Sequence, residues 1–372
     1  MRNPKKNLPE QVEKQPPDEW QPRSDVWLKQ AQKLKKFRPS RRRTEQPLIL
    51  SGHGVSLRIE RNTLLVKNGF THYPQKQEII RFFPGDLSLP SRFIFLDCSG
   101  SISFHVLSWL KEQNIDLVHL NWQGEIISST TTAGYSAKLE NVLWQRETHD
   151  SRERRLQFCI ALIARKLEYS LLTLQNMNFQ NEAWQAANDF LAICLNSLSH
   201  APPASVPGLR MLEANCAAAY FRAWRGVTTA WKGKSRQFIP DHWKAFEQRN
   251  SPLVINGNRR AHHPINALLN YAYQVAESEL LIQAISEGFD PTIGILHESQ
   301  PNRNSFLLDL IELERAQIDY QIFHFVRSNV FSGDDFTIGN DGTVLLNPQL
   351  ARYVALVVCG MPREPIEEKI HF

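Results

Sequence analysis

Residues 294–317, GILHESQPNRNSFLLDLIELERAQ, place a histidine ahead of a capped amphipathic helix. Asn304 and Ser305 are good N-cap residue types, and the residues behind them recur at helical spacing. The apolar positions predict a helix packed on a core: Phe306, Leu307, Leu310, Ile311 and Leu313. Asp309 and Glu312 follow His297 by 12 and 15 residues and therefore lie at i and i+3 on one helix face.

The polar side chains of this stretch suit a hard divalent cation. An imidazole and two carboxylates form a mixed nitrogen and oxygen set, which favours Mg²⁺ or Mn²⁺ over zinc or an iron–sulfur cluster. Apolar residues flank Asp309 on both sides, so we expect its carboxylate to be partly buried and to need a partner or a cation. The alternative is that Asp309 and Glu312 are solvated helix residues and His297 is a loop histidine. The stretch alone does not separate these interpretations.

Length and composition indicate a soluble globular protein. The 372 residues are enough for two domains, and 42% hydrophobic with 22% charged residues is typical of such proteins. No apolar run approaches the roughly 18 to 20 residues that span a bilayer, and no signal peptide is expected. The five cysteines form no CxxC pair, so we predict reduced core thiols in a cytoplasmic protein rather than a zinc site.

The net charge of +5 is concentrated at the N-terminus. Residues 1–43 carry 13 Lys/Arg against 5 Asp/Glu, so the rest of the chain is slightly acidic. We predict that residues 1–47 form a basic, proline-rich and mobile arm, with a short helix within 24–38. Such an arm either binds nucleic acid through phosphate charge or serves as a solubilising or docking extension. Trp20 and Trp27 favour docking.

Residues 48–130 carry the signals of β-strands. The alternating runs SLRIE and TLLVKNG meet at Arg61 and Asn62, which predicts a hairpin. EIIRFF, RFIFLD and LVHLNWQGEII predict further strands, and SISFHVLSWLKEQNID predicts one helix. No glycine motif of a phosphate-binding type is present, so we interpret this β domain as a platform for assembly.

The remainder of the chain is predicted to be helical. Residues 131–150 are polar and predict a linker, and helical periodicity dominates residues 151–345. Pro264 and Gly288 bound one of the helices at its first position and just past its end. Residues 346–372 are predicted to be a loose tail. The expected fold class is α+β, with a small N-terminal β domain before a larger all-α domain.

Glu213 lies in an apolar, alanine-rich stretch of the helical region, LRMLEANCAAAYFRAW. Small residues allow another helix to approach closely, so a carboxylate among them needs a partner. One interpretation is a salt bridge to a neighbouring arginine, with Arg210, Arg222 and Arg225 as candidates. The other is a third ligand for the metal site predicted around His297.

Four stretches of the chain, in order, resemble the CRISPR-associated Cas1 integrases, which capture spacers during adaptation. The stretches are IFLDCSGSISFHVLSWLKEQNIDLVHLNWQGEII, LEANCAAAYFRAW, RRAHHPINALLNYAYQVAESELLIQAISEGFDPTIGILHE and SFLLDLIELERA. The resemblance covers about residues 50–345. It implies an N-terminal β domain and a C-terminal helical domain that carries the metal site.

The resemblance assigns a role to each candidate residue. Glu213, His297 and Glu312 match the family's three metal ligands. Asp309 matches the acidic residue that accompanies the site, as an orienting group or a base, and Asn266 matches an asparagine that organises it. We therefore expect catalysis to depend on the three ligands together with Asp309.

The chain departs from the family pattern at three places. His263 stands where many members have an aspartate before the helix proline, and a neutral histidine is a poorer N-cap. Ala214 stands where the pattern tends to have glycine, and the first 47 residues have no counterpart. None of these departures removes a ligand.

The resemblance implies metal-dependent phosphodiester chemistry. The 3′-hydroxyl of a short DNA fragment would attack the CRISPR repeat, and water in its place would cleave DNA. Mg²⁺ or Mn²⁺ would lower the pKa of the hydroxyl and neutralise developing charge. The implied partners are DNA (protospacer fragments and the CRISPR repeat), a Cas2 dimer and a second copy of the chain, with no membrane. Two alternatives stay open: a non-catalytic DNA-binding assembly subunit, and a related integrase of a mobile element outside CRISPR arrays.

Four arginines near the predicted site could position DNA through phosphate contacts: Arg222, Arg225, Arg259 and Arg260. The alternative is that they pair with acidic neighbours such as Glu213. Two of them lie in a polar loop, NGNRRAHH, directly before the helix that Pro264 begins, which favours DNA.

Overall fold

A β-sheet region precedes a helical region in the computed structural model, which confirms the α+β class. The structure describes residues 20–34, 47–70, 77–121, 126–130, 138–177, 179, 181–233, 238–249, 261–300, 303–339 and 342–370. The elements up to residue 130 are α1 (Trp20–Leu34), β1 (Leu48–Glu60), β2 (Thr63–Lys67), β3 (Ile79–Phe82), β4 (Arg92–Ile102), α2 (Phe104–Glu112), β5 (Asp116–Leu120) and β6 (Ile126–Thr130).

The elements after residue 138 are mainly helices. They are α3 (Leu139–Asp150), α4 (Arg152–Met177), α5 (Glu182–His200), α6 (Val206–Ala223), β7 (Ala230–Trp231), α7 (Pro264–Glu287), α8 (Ser305–Ser328), β8 (Val330–Phe331), β9 (Phe336–Ile338), β10 (Val344–Leu346), α9 (Pro348–Cys359) and α10 (Ile366–Ile370). Short 3₁₀ turns cover Asp241–Trp243 and Gly333–Asp335.

Six strands form one mixed sheet in the order β3-β2-β1-β4-β5-β6. The pairs β1–β4 and β4–β5 are parallel, and the other pairs are antiparallel. The predicted hairpin is confirmed: Glu60 pairs with Thr63, and Arg61 and Asn62 have φ values of 48° and 63°. Two consecutive left-handed residues form the kind of two-residue turn that matches strand twist.

The central strands bury both faces of the sheet, since successive side chains point to opposite sides. Leu50 and Phe93 belong to a cluster that includes Trp109 of α2. Their neighbours Ile49 and Ile94 belong instead to the large core of the helical region. The sheet therefore lies between α2 and the helical region, and the two regions share a core.

The cap of α7 explains how the chain tolerates histidine at that position. His263 Nδ1 accepts a hydrogen bond from the backbone N–H of Ile265 at 3.1 Å. Burial, followed by the charge of His242, lowers the pKa of His263 to about 3. The ring is therefore neutral near pH 7 and can act as the acceptor that an N-cap requires. At the other end, Gly288 has φ of 86° and closes the helix as predicted.

The prediction that residues 346–372 form a loose tail is wrong for the described part of that segment. Residues 348–359 form α9, whose Leu350, Val354 and Val358 are fully or almost fully buried. These positions recur at helical spacing in PQLARYVALVVC, a pattern that predicts a packed helix. Ile366 and Ile370 of α10 are also buried.

The predicted linker is also partly a packed helix. Residues 131–137 lie outside the described residues, and α3 occupies 139–150. Gln145 of α3 is fully buried and donates a hydrogen bond to the carbonyl of Asp290 at 2.8 Å. The polar composition of the segment therefore reflects buried hydrogen bonding as well as exposure.

Part of the predicted mobile arm is docked on the helical region. Trp27 of α1 is 1% exposed, and its Nε1 donates to Asp335 at 2.9 Å. Arg23 forms an ion pair with the same carboxylate at 2.6 Å. The prediction that Trp27 favours docking is confirmed, and the prediction of mobility is wrong for residues 20–34. The rest of the arm lies outside the described residues.

Among the described residues, no helix has both the length and the apolar character needed to cross a membrane. All five cysteines are free thiols, and four of them are buried.

Candidate metal centre

Three helices and one loop carry the residues of the candidate site. Glu213 lies on α6, Glu312 lies on α8, and His297 lies in the loop that joins α7 to α8. α4 supplies a residue that the sequence analysis did not select, Lys166. Its ammonium donates to Oε1 of Glu213 and, at 2.5 Å, to Oε2 of Glu312.

Lys166 is a buried cation held between two carboxylates. The residue is 8% exposed, and its aliphatic stem lies on the buried face of α4. Burial alone would lower the pKa of Lys166, but Glu312 and Glu213 outweigh it and raise the pKa above its ordinary value. The ammonium therefore stays charged and draws Glu213 and Glu312 to one point.

Glu312 has a second cation beside it. Arg315 Nε lies 3.3 Å from Oε1 of Glu312, one helical turn further along α8. Burial by itself would raise the pKa of Glu312, but the charges of Arg315 and Lys166 lower it to about 2. Glu312 is thus ionised at any pH at which the protein is studied, as a metal ligand has to be.

Asp309 orients the loop that carries His297. Its carboxylate is fully buried and accepts the backbone N–H groups of residues 295, 296 and 297 at 2.6, 3.1 and 2.9 Å. It also accepts Nδ1–H of His297 at 2.7 Å. Because this carboxylate already accepts three backbone N–H groups, we assign the proton of a neutral His297 ring to Nδ1, which leaves the lone pair of Nε2 for a ligand bond.

The loop needs a glycine where it bends. A Cβ on Gly294 would lie 2.3 Å from the carbonyl oxygen of His297 and 2.6 Å from the Cβ of Ser305. These distances are shorter than any real contact, so a side chain at residue 294 would displace the loop from Asp309.

The structure places the other predicted residues away from the carboxylates. Asn266 accepts from Arg249 Nη1 at 3.3 Å and donates to the carbonyl of Gln248 at 3.0 Å. Arg249 and Arg315 lie 5.3 and 5.0 Å from the centre of the Tyr273 ring. Asn266 is therefore linked to the site through stacked side chains rather than by direct contact.

The arginine interpretations are resolved for part of the set. The partner of Glu213 is Lys166, so the expected salt bridge to an arginine is not formed within the described chain. Arg222 and Arg225 are exposed and form no ion pair with any described residue. Arg259 and Arg260 lie outside the described residues.

The donor set fits a hard divalent cation. Two carboxylates already converge on one cation, the Lys166 ammonium. His297, which Asp309 holds on the loop between α7 and α8, interacts electrostatically with Glu312. In the described part of the chain, no three His, Cys, Asp or Glu side chains form a group that could hold a metal ion. The Lys166 ammonium occupies the point at which Glu213 and Glu312 converge.

Comparison with known proteins gives consistent matches. A family model described as CRISPR associated protein Cas1 matches residues 48–356. A CRISPR-associated endonuclease Cas1 from Korarchaeum cryptofilum is 24% identical over 306 residues, which cover 77% of this chain and 82% of the relative. A CRISPR-associated protein Cas1 3 from Methanobrevibacter ruminantium is 25% identical over 252 residues, which cover 66% and 70%.

Solved structures with this fold include two chains of similar length. A casposase bound to integration product matches with a TM-score of 0.67 and 21% identity, over 87% of each chain. A CAS1 protein from Thermotoga maritima matches with a TM-score of 0.61 and 16% identity, over 84% of this chain and 90% of that chain. A Cas6-RT-Cas1–Cas2 complex contains a longer chain, of which the match covers 35%, with a TM-score of 0.63 and 17% identity.

Proposed function

The chain belongs to the Cas1 family of CRISPR-associated proteins, and we propose that it is a metal-dependent DNA integrase and endonuclease of CRISPR adaptation. The observation that carries the proposal is the convergence of Glu213 and Glu312 on one cation, beside a histidine whose tautomer Asp309 fixes. This is the donor set expected for Mg²⁺ or Mn²⁺ at a phosphodiester.

Each residue has a distinct task in the proposed reaction. Glu213 and Glu312 would supply two anionic oxygens to the metal, and His297 Nε2 would supply one neutral nitrogen. Asp309 acts on the loop rather than on substrate, because its oxygens already accept four hydrogen bonds. A bound divalent cation would lower the pKa of a DNA 3′-hydroxyl and neutralise charge at the attacked phosphate.

The reaction that we propose is strand joining by transesterification. The 3′-oxygen of a short DNA fragment would bond to a phosphorus atom of the CRISPR repeat, and the displaced 3′-oxygen of the repeat would leave with a proton. Water in place of the 3′-hydroxyl would give cleavage. Binding of a casposase to an integration product supports joining for this fold, because that neighbour matches 87% of this chain.

A strand-joining assay tests the proposal. Purified protein would be mixed with a fluorescent DNA fragment, a plasmid that carries a repeat, and Mn²⁺. Glu213→Gln and Glu312→Gln should abolish joining while metal-free DNA binding remains. Glu314→Gln is the matched control, since Glu314 lies on the same helix but pairs with Lys369 outside the site. Normal joining by both site variants would contradict the assignment.

A second candidate function is a DNA-binding assembly subunit whose site is idle. The observation in its favour is the Lys166 ammonium, which already neutralises the two carboxylates. Such a protein would bind DNA with the same affinity in EDTA and in Mn²⁺, and the wild type would neither join nor cleave DNA.

A third candidate is an integrase of a mobile element outside CRISPR arrays. The casposase match favours it, and equal joining into plasmids with and without a repeat would distinguish it from a CRISPR integrase.

We further propose that the chain assembles as a homodimer with a Cas2 partner. The fold match to a chain of a Cas6-RT-Cas1–Cas2 complex supports the Cas2 partner, and the homodimer is what the family resemblance implies. Light scattering of the protein alone, and after addition of a purified Cas2 protein, measures both interactions.

A further inference from the structure

A cleft of about 340 Å³ lies beside the loop that carries His297. The ends of α3, α4 and α6 form its walls together with Glu298 of that loop. Three arginines and one histidine are among its lining residues: Arg152, Arg155, Arg210 and His149. The two acidic residues that line it, Asp150 and Glu298, are both exposed. The volume is at the lower end of the range for small-molecule sites, which is about 300–1,000 Å³.

Three of these four side chains hold the backbone of the His297 loop. The bonds are His149 Nδ1 to the carbonyl of Gly294 (2.7 Å), Arg155 Nε to that of Ile295 (2.7 Å), and Arg210 Nη2 to that of Leu296. Asp309 accepts the amides of the same segment. The cleft and the candidate metal centre are therefore attached to one short piece of backbone, the cleft through its carbonyls and the centre through its amides.

One arginine of the cleft, Arg152, does not bind the His297 loop. The side chain of Arg152 is exposed and forms no hydrogen bond or ion pair with any residue that the structure describes. Arg152 is the first residue of α4, and the N-terminal turn of α6 lines the same cleft. These two helix N-termini add partial positive charge to that of the arginines, and the C-terminus of α3 offsets part of it.

Glu298 is the cleft's internal anion. Arg155 Nη2 binds its carboxylate at 2.6 Å, although the Glu298 side chain is 56% exposed. Arg155 thus already binds an anionic group at this position.

We infer that this cleft seats a backbone phosphate of DNA, with Arg152 as the contact that no residue of the described chain already binds. The choice of DNA as the ligand rests on the proposed function, while the anionic character of the ligand rests on the cleft itself. A strand held here would lie against the loop that positions His297. The contact would be made to phosphate and would carry no sequence preference.

Arg152 is the residue to change, because its removal leaves the loop bonds of His149, Arg155 and Arg210 in place. Arg154 provides a matched control within the same helical turn. It is 61% exposed, forms an ion pair with Glu147 at 2.7 Å, and does not line the cleft. Both substitutions remove one positive charge from the same end of α4.

The experiment measures fluorescence anisotropy of a labelled DNA duplex with full-length protein in EDTA, over a salt series from about 50 to about 200 mM. Arg152→Ala should weaken binding about tenfold and reduce the slope of log affinity against log salt by about 0.9. The loss should be the same for two unrelated DNA sequences. Arg154→Ala should bind within about twofold of the wild type. Equal affinities and slopes for the two variants would overturn the inference.

Strand joining by the wild type in Mn²⁺ separates this inference from the proposed function. If the wild type joins strands and Arg152→Ala binds DNA as tightly as the wild type, the phosphate site in the cleft is refuted and the integrase function stands. If Arg152→Ala binds DNA more weakly but the wild type joins no strands, the phosphate site is supported and the integrase function is refuted.

Discussion

Replacing Lys166 with methionine should make divalent metal bind more tightly. Methionine keeps most of the aliphatic length on the buried face of α4 and removes the ammonium. Glu213 and Glu312 then face each other without the cation that holds them, and Arg315 remains on one oxygen of Glu312 at 3.3 Å. A divalent cation no longer has to displace an internal one.

The magnitude follows from the two contacts that are lost. Breaking a buried ion pair from one side costs about 3–5 kcal/mol. The side chain of Glu213 is 24% exposed while that of Glu312 is 9% exposed, so water offsets part of the loss and about 3 kcal/mol is expected in EDTA. The same energy opposes metal binding in the wild type, and at about 1.4 kcal/mol per tenfold it corresponds to binding that is roughly 100- to 200-fold tighter in the variant.

Isothermal titration of Mn²⁺ into metal-free protein measures this affinity directly. Thermal unfolding of the same samples, in EDTA and in Mn²⁺, measures the compensating change in stability. The variant should melt lower than the wild type in EDTA and recover more of its melting temperature in Mn²⁺.

Lys369→Met is the matched control for this experiment. Lys369 is 6% exposed and binds Glu314 of α8 at 2.6 Å, so its loss removes an equally buried ion pair. It should lower stability in EDTA without changing the affinity for Mn²⁺. If Lys166→Met binds Mn²⁺ no more tightly than the wild type or Lys369→Met, the metal does not displace the ammonium and the reasoning fails.

Three further predictions concern the loop, a helix cap and the arm. Asp309→Asn places an amide donor against backbone N–H groups, so it should displace the loop that carries His297. Mn²⁺ binding in the same titration should then be about 10- to 100-fold weaker. An affinity equal to that of the wild type would contradict the orienting role of Asp309. His263 has a folded pKa of about 3 against an ordinary 6.5, so its neutral cap stabilises fully above pH 6.5 and the contribution is lost as pH falls towards 3. His263→Asn should flatten that part of the stability profile in urea unfolding, and an unchanged slope would assign the pH dependence elsewhere. Trp27→Ala should lower the free energy of unfolding by about 3–5 kcal/mol, because it removes a buried side chain. Replacing every Lys and Arg of residues 35–43 with glutamine should instead lower the affinity for DNA and the dependence of that affinity on salt, and leave the free energy of unfolding unchanged.

Local patterns in the sequence were sufficient for the elements and for the chemistry of single residues. The turn at Arg61 and Asn62, the ends of α7 and the placement of Asp309 and Glu312 on one face of α8 all follow from spacing and residue type. In each case the determining residues are within one or two helical turns or one hairpin of each other.

Long-range partners could not be predicted in this way. Lys166 lies 47 residues from Glu213 and 146 residues from Glu312 along the chain. A signal was present, since Lys166 falls on the same stripe of α4 as the buried Leu162, Ile163 and Ser170. Metal ligands are expected among carboxylates and imidazoles, so a lysine is not a candidate on residue type. The role of Lys166 follows only from the packing of α4 against α6 and α8, which places its ammonium between two carboxylates.

The errors at the two ends of the chain have a related cause. Composition suggested mobility for residues 1–47 and 346–372, because both segments are rich in charge or proline. A few buried side chains were enough to dock them: Trp27 of α1 lies 5.7 Å from Tyr353 of α9, measured between ring centres. The average polarity of a segment does not indicate that one of its tryptophans packs on a helix that is distant in sequence.

The docking of α1 also sets an order of events during synthesis. Arg23 and Trp27 find their partner in Asp335, which is 312 residues beyond Arg23. At about 5–20 residues per second, the ribosome takes about 15–60 s to reach that carboxylate. For this time α1 has no acceptor for its buried tryptophan, so α1 is synthesised early but docks only after residue 335 has been made. Truncated chains that stop before residue 335 would leave Trp27 exposed. Chaperones and proteases could recognise such incomplete chains by this exposed apolar side chain.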